Sequence, residues 1–277
     1  MAVKDILLTL TSYPEPAPVA VIEPAIAVAS TLGAHIAALV CEVHVEVPGH
    51  FISGSVVGLP GIIAGEAAKS RKNAQDLIAA FESSAATAGV AYESICQPCN
   101  PAERIELLVE YARLRDLIIM PQSADRGPAE AVIFRSGRPT LILPQNPKPG
   151  PFALGTVVVA WDFSRAAARA VADSLPLLER AANVRVVTVL NEKHLDRKHS
   201  AEELSKNLSR HGIDVVLDRV DAKGMAIDAV LEGYVASHAA DLLVMGAYGH
   251  SRWREFILGG ATRSLLSRPP LPILLSH

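Results

Sequence analysis

Residues 241–262 read DLLVMGAYGHSRWREFILGGAT and contain a strand, a glycine-rich turn and the start of a helix. The apolar run Leu242–Met245 is bounded by turn residues, which favours a buried strand. Gly246 and Gly249 follow it, and a second pair of glycines stands nine residues further on, where a helix is expected. Such a loop exposes backbone N–H groups to an anion, and the helix adds the positive end of its dipole. The stretch predicts a phosphate-binding loop, although glycines at this spacing also suit a tight turn without a ligand.

Outward from this stretch, strands and helices alternate along the chain. Five strands and four helices are expected before residue 145, and the same pattern returns after the linker QNPKPG at residues 145–150. This alternation predicts an α/β fold made of two tandem doubly wound domains, each with a five-stranded parallel sheet. We place the domains at residues 1–145 and 152–277. They are expected to pack as a pseudo-dimer within one chain, with the closing strands at the junction.

The two copies match in sequence but differ at the loop. Asp116-Leu-Ile-Ile-Met in the first copy corresponds to Asp241-Leu-Leu-Val-Met in the second. The first copy is six residues shorter after this anchor, and Pro121 takes the position of the first glycine. Proline has no N–H to donate to a phosphate. The first copy is therefore predicted to be a degenerate domain without this anion site.

The composition and the net charge argue against two classes of function, nucleic-acid binding and membrane insertion. Half of the 277 residues are apolar, and the net charge is −3, which argues against a protein that binds nucleic acid by neutralising phosphates. No apolar run reaches the roughly 18 residues of a membrane span, and the N-terminus lacks the pattern of a signal peptide. We expect a cytoplasmic protein without a membrane or nucleic-acid partner.

The glycine spacing resembles that of the universal stress protein family. In its nucleotide-binding members a Gly-x2-Gly-x9-Gly-Ser/Thr loop wraps the phosphates of ATP, and Gly246, Gly249 and Gly259 stand at this spacing. The Ser/Thr position is Gly260 here, and the next hydroxyl belongs to Thr262. The resemblance covers the chain as two copies and implies a tandem member with two Rossmann-like sheets.

The resemblance also implies an ATP site in the second copy, with or without Mg²⁺. Asp162 stands at the family's acidic position, where a carboxylate contacts the adenosine end, and Thr11 replaces it in the first copy. Trp161 replaces a residue that is often small, so its ring either stacks on a ligand or crowds it. The full set of expected nucleotide-binding residues is Ala160, Trp161, Asp162, Val189, Met245, Gly246, Gly249, His250, Gly259, Gly260, Ala261 and Thr262.

A second group of residues lies outside the family pattern. Cys41 and His44 follow the second predicted strand, and Cys96 and Cys99 follow the third, which is its expected neighbour. Three interpretations stay open for this group: a tetrahedral zinc site, a redox pair of Cys96 and Cys99 next to a helix start, and small buried cysteines with a loop histidine. Residues 44–65 are expected to form a long apolar loop, which is typical of a lid, a partner surface or a ligand wall.

No arrangement of nucleophile and general base is visible, so no catalytic residues are assigned and efficient hydrolysis is not expected. The favoured function is a stress-response protein that binds ATP in its second domain as a regulatory ligand. The alternatives are a slow ATPase using the same site and a binding module for an apolar ligand or partner on the first domain. A homodimer is left open.

Overall fold

The structure is a computed structural model, and it describes residues 2–43, 59–147, 152–190, 200–247 and 260–277. These residues form ten strands, numbered in chain order: β1 Asp5–Thr11, β2 His35–Val43, β3 Tyr92–Cys99, β4 Leu117–Pro121, β5 Thr140–Leu143, β6 Thr156–Ala160, β7 Asn183–Leu190, β8 Val215–Asp221, β9 Leu242–Gly246 and β10 Ile273–Ser276. They also form eight α-helices: α1 Ile22–Leu32, α2 Leu59–Ala88, α3 Arg104–Arg113, α4 Gly127–Arg135, α5 Arg165–Leu178, α6 Ser200–Arg210, α7 Ile227–Ser237 and α8 Gly260–Ser267.

All ten strands belong to one sheet, in the order β3-β2-β1-β4-β5-β10-β9-β6-β7-β8. Each half is parallel and has the doubly wound order, with the switch in direction between β1 and β4 and between β6 and β9. The halves meet where β5 and β10 pair antiparallel, with Ile142 facing Ile273 and Leu141 facing Leu274. The prediction that the closing strands form the junction is confirmed, and the α/β fold class is confirmed with it.

Helices cover both faces of the sheet, and each face has its own apolar cluster. The cluster under α1, α2, α5 and α6 contains Ile6, Phe81 and Leu208, all fully buried. The cluster under α3, α4, α7 and α8 contains Ile118 and Leu243, also fully buried. Strands that are covered on both faces read as continuous apolar runs, which is why β1, β4 and β9 were recognisable in the sequence.

The repeat extends to the turns that start the central strands. The Asp116 carboxylate accepts hydrogen bonds from the backbone N–H groups of Lys4 and Asp5, at 2.9 and 3.1 Å. The Asp241 carboxylate accepts one from Thr156 N–H at 3.0 Å. In both halves an aspartate before the fourth strand therefore fixes the beginning of the first.

Helix α2 corrects the prediction of a long loop over residues 44–65. It begins at Leu59, so seven of those residues are helical. Pro60 falls in the first turn, where its missing N–H costs no intrahelical hydrogen bond, so this proline is compatible with a helix start rather than a loop. The rest of the predicted loop, residues 44–58, lies outside the described residues.

No helix in the described part of the chain is both long enough and apolar enough to cross a membrane.

Candidate functional site

The second half brings several predicted site residues to one edge of the sheet. In the register, Val159 of β6 faces Val244 of β9, and Ala160 faces Val187 of β7. Ala160 and Met245 therefore lie at the carboxyl ends of neighbouring strands, and Val189 follows two residues beyond Val187 on β7. This edge lies at the switch between β6 and β9, which is where ligands bind in open doubly wound sheets.

Asp162 lies in a tight turn at this edge. Its Oδ1 accepts a hydrogen bond from Ser164 N–H at 2.9 Å, and Phe163 between them has a φ of 62°. The Ser164 hydroxyl then accepts from Ala167 N–H at 3.0 Å and caps α5. Asp162 is solvent-exposed, and so is 48% of Phe163. The turn presents a carboxylate and an aromatic ring at the rim of the crevice, and sequence reasoning missed the ring.

Trp161 has a structural role that the sequence left open. It is only 8% exposed and belongs to the core cluster on the α5 and α6 face. Its ring lies edge-on to Phe163, with 6.0 Å between the ring centroids. Ala160 and Met245 pack on the opposite face, because neighbouring side chains along a strand alternate. Trp161 is thus a core residue that supports the turn.

Gly246 has a packing reason to be glycine. A Cβ at this position would lie 2.5 Å from the backbone nitrogen of Ala167 and 2.6 Å from the carbonyl carbon of Ala166. The end of β9 therefore passes in direct contact with the first turn of α5. Glycine is needed here whether or not a phosphate binds, so Gly246 alone is weak evidence for a ligand.

Helix α8 begins at Gly260, which is exposed, and a Cβ there would meet nothing within 4 Å among the described residues. Ala261 is half-buried. Thr262 is 1% exposed, and its hydroxyl has no hydrogen-bond partner within the described residues. The predicted loop residues Gly249, His250 and Gly259 lie outside the described part of the chain.

A comparison with known protein families gives a match for the second half of the chain. The family model described as the universal stress protein family matches residues 154–277. The second half of the chain therefore matches the universal stress protein family. A curated relative, universal stress protein Slr1230 of Synechocystis sp., is 41% identical over 51 residues, which are 18% of this chain and 17% of that protein. The match thus spans about one sixth of that relative's length.

Solved structures extend the likeness in fold to the whole chain. A universal stress protein from Archaeoglobus fulgidus superposes with a TM-score of 0.71 at 16% identity, covering 98% of this chain and 97% of that one. A putative universal stress protein from Pseudomonas aeruginosa gives a TM-score of 0.58 at 13% identity, with 99% and 93% coverage. The likeness in fold therefore includes the first half, for which these matches show the fold alone.

The first half fills the corresponding edge with its own side chains. The Ser12 hydroxyl donates to the Cys41 carbonyl at 2.5 Å and lies 2.9 Å from the Ser70 hydroxyl. Ser70 accepts from Val43 N–H at 2.9 Å, and the Asn73 side chain donates to the Ser12 carbonyl. Side chains of α2 thus hydrogen-bond the ends of β1 and β2, and they occupy this edge of the first half among the described residues.

The N-terminus of α4 is also occupied by the protein's own side chains. The Asp125 carboxylate accepts a hydrogen bond from Gly127 N–H at 3.0 Å and pairs with Arg104 at 3.1 Å. An acidic side chain of the protein thus occupies the N-terminus of α4, the helix that corresponds to α8 of the second half.

The three cysteines do not form the sites considered from sequence. Strand β3 extends to Cys99, so Cys96 and Cys99 are three positions apart on one strand and point to opposite faces. Cys96 is exposed, whereas Cys99 is buried together with Cys41. The redox pair of Cys96 and Cys99 is therefore wrong, and so is the expectation of a buried Cys96. No group of three or more metal-binding side chains converges within the described residues, and His44 lies outside them.

The two buried thiols lie on the same face of adjacent strands and interact. A hydrogen bond from the Cys41 thiol lowers the pKa of Cys99, and the nearby Arg104 lowers it further. The same hydrogen bond, together with burial, raises the pKa of Cys41. The predicted helix-start contribution is absent from this pair, because α3 begins at Arg104 rather than directly after Cys99.

Proposed function

We propose that this universal stress protein binds ATP at the carboxyl edge of β6, β7 and β9 and at the head of α8, with ATP as a regulatory ligand that sets its conformation or partners. The observation that carries the proposal is the position of Asp162 directly after β6, at the edge where the carboxyl ends of β6, β7 and β9 meet. The resemblance of the Gly246, Gly249 and Gly259 spacing to the family's ATP loop supports it.

The proposal divides the chain into unequal halves. Residues 152–277 form the nucleotide-binding unit, and residues 1–145 form a degenerate unit whose own side chains fill the equivalent edge. No described residue at the second-half edge forms a nucleophile and base pair. ATP is therefore proposed to act through its occupancy, with turnover as the alternative outcome. Mg²⁺ would accompany the phosphates.

The experiment is a calorimetric titration of ATP with Mg²⁺ into the full chain and into an Asp162→Asn variant. Asparagine keeps the oxygen that accepts from Ser164 N–H, so the turn is retained while the charge is removed. We expect roughly tenfold weaker binding, because hydrogen bonds to charged groups contribute about 1.5–3 kcal/mol. Asp214→Asn is the matched control: Asp214 is exposed and precedes β8, at the opposite edge of the sheet.

A second variant, at the N-terminus of α8, is expected to strengthen ATP binding rather than weaken it. Gly260→Ser restores the hydroxyl that the family carries, and the space around Gly260 accommodates a Cβ. Binding should tighten about fivefold, since one neutral hydrogen bond contributes about 1 kcal/mol. The proposal fails if the wild type does not bind ATP, or if Asp162→Asn and Asp214→Asn behave alike. Phosphate release measured in the same samples separates a ligand from a substrate.

A further inference from the structure

A shallow cavity, open to solvent, lies between α8 and the start of α4, where the two halves of the chain meet. Its volume is about 410 Å³. The residues that line it are Arg126, Gly260, Arg263, Ser264, Ser267 and Arg268. Five of them follow one face of α8 and its end, and Arg126 comes from the first half.

The cavity is strongly cationic. Three of its lining residues are arginines, and none of the six carries a carboxylate. Within the described residues, Arg126, Arg263 and Arg268 make no salt bridge, although the chain as a whole has a net charge of −3. Neighbouring Arg104 differs, since it is paired with Asp125 at 3.1 Å. These three arginines thus form no ion pair with a described carboxylate, although the Asp125 carboxylate that pairs with Arg104 lies next to Arg126 in the chain.

Hydrogen bonds hold the two halves of the cavity together. The Arg126 guanidinium donates to the Ser267 hydroxyl at 3.1 Å, and that hydroxyl donates to the Arg263 carbonyl at 2.9 Å. Gln122 adds a hydrogen bond from its side-chain amide to the Ser267 carbonyl at 3.0 Å. Arg126 is therefore positioned over α8 before any ligand arrives, which reduces the entropic cost of binding.

Neutralising the negative end of α8 is a simpler role for some of these charges, because cations are favourable at helix C-termini. This role suits Arg268, which follows the last residue of the helix. It does not account for Arg263, which is the fourth residue of α8, or for Gly260, whose N–H lies at the positive end. Positive groups line the whole length of the helix on this face. An anion long enough to span this face would contact all of them, because guanidinium groups bind phosphate oxygens in pairs.

We propose that this cavity binds an anion with several phosphate groups and thereby links the two halves of the chain. The phosphates could belong to a free inorganic oligophosphate or to the tail of a nucleotide, since Gly260 lies both in this cavity and at the head of the proposed ATP site. The two sources share one recognition chemistry, and a titration separates them.

The test uses the full chain with two probes, inorganic tripolyphosphate and ATP, titrated into the wild type and into Arg126→Gln, Arg263→Gln and Arg268→Gln. Loss of one charge-assisted contact should weaken tripolyphosphate binding about tenfold in Arg126→Gln and Arg263→Gln. Arg210→Gln is the control with the same change in charge, because Arg210 is exposed at the end of α6. It should stay within about twofold of the wild type, as expected for a remote screened charge. Each variant carries one substitution. If one of them does not fold, the other variants still test the proposal.

The source of the phosphates follows from competition between the probes. If the tail of a nucleotide fills the cavity, ATP displaces tripolyphosphate and Arg126→Gln weakens both ligands. If the ligand is free, tripolyphosphate binds alongside ATP and Arg126→Gln weakens only tripolyphosphate. Absence of tripolyphosphate binding to the wild type, or an equal loss in Arg210→Gln, overturns the proposal.

The Asp162→Asn variant keeps this proposal separate from the proposed ATP function. If ATP binding depends on Asp162 while tripolyphosphate does not bind, the ATP site stands and the cavity proposal fails. If the arginine variants weaken tripolyphosphate binding while ATP does not bind the wild type, the cavity proposal stands and the ATP function fails.

Discussion

Two glycines of the same loop motif have different physical reasons to be glycine. Gly246 is in near-contact with the backbone of α5, where even a methyl group would lie 2.5–2.9 Å from Ala166 and Ala167. Gly260 has no described atom within 4 Å of a Cβ placed on it, and its φ is not positive. The glycine at position 246 is thus explained by close packing, whereas no close packing among the described residues explains the glycine at position 260. Substituting Gly246 to test nucleotide binding would confuse loss of the ligand with loss of the fold.

At Gly246, substitution by alanine should destabilise the protein without any ligand. We expect the free energy of unfolding in urea to fall by about 1–3 kcal/mol, the range for overpacking a close contact. Gly260→Ala is the matched control and should leave stability unchanged or raise it by up to about 1 kcal/mol, because alanine favours a helix more than glycine does. Equal stability of the two variants would show that β9 and α5 are not in the contact described.

At the scale of the element, β3 shows how the pleat of one strand separates residues that a motif places together. Cys96-Gln-Pro-Cys99 looks like a pair in sequence, but the two thiols project from opposite faces. Cys99 instead meets Cys41 of β2, whose neighbour in register is Gln97. The strand makes one thiol accessible and buries the other.

Thiol labelling with a bulky aromatic disulfide reagent should therefore modify one cysteine in the native protein and three after unfolding. Burial of part of its surface and the nearby Glu42 raise the pKa of Cys96 above the ordinary thiol value. The thiolate is the reacting form, so the labelling rate should still increase as pH rises past that ordinary value. Cys96→Ser should remove the native reaction. Its persistence in Cys96→Ser would mean that Cys41 or Cys99 is accessible.

At the scale of the whole molecule, the junction between β5 and β10 turns two sheets into one. Leu141 and Leu274 face each other across it, and both are fully buried. The pairing is antiparallel, unlike every other pairing in the sheet described here. It places the heads of α4 and α8 at opposite edges of the sheet, so the head of α4 lies near the end of α8. This arrangement creates the arginine-lined cavity.

A double-mutant cycle measures how far the junction couples the halves. Leu141→Ala and Leu274→Ala should each lower the free energy of unfolding by about 2–5 kcal/mol, as for other buried leucines. Their combined effect should depart from the sum by about 0.5–3 kcal/mol, because the side chains share one environment. Leu208, fully buried in α6, supplies the control pair with Leu141, which should add to within about 0.5 kcal/mol. Additivity of the junction pair would place the two leucines out of contact.

The amino-acid sequence by itself determined the class of fold and the repeat, and it indicated the family that the second half matches. Buried strands appear as apolar runs and helices end at glycines such as Gly33 and Gly89, and these signals are local. A difference between the copies was also visible, because Pro121 stands where the second copy has Gly246. The order of strands then followed from the general behaviour of alternating strands and helices.

The tertiary structure alone decided which residues meet. Trp161 is in the core because the alternation of side chains along β6 turns it away from Ala160, and a sequence motif does not state which face is covered. Cys41 and Cys99 meet because β2 and β3 pair in one particular register. The cavity around Arg126 and Arg263 joins residues far apart in the chain, which only the antiparallel junction brings together. Local signals fix elements, whereas contacts between distant residues depend on how those elements pack.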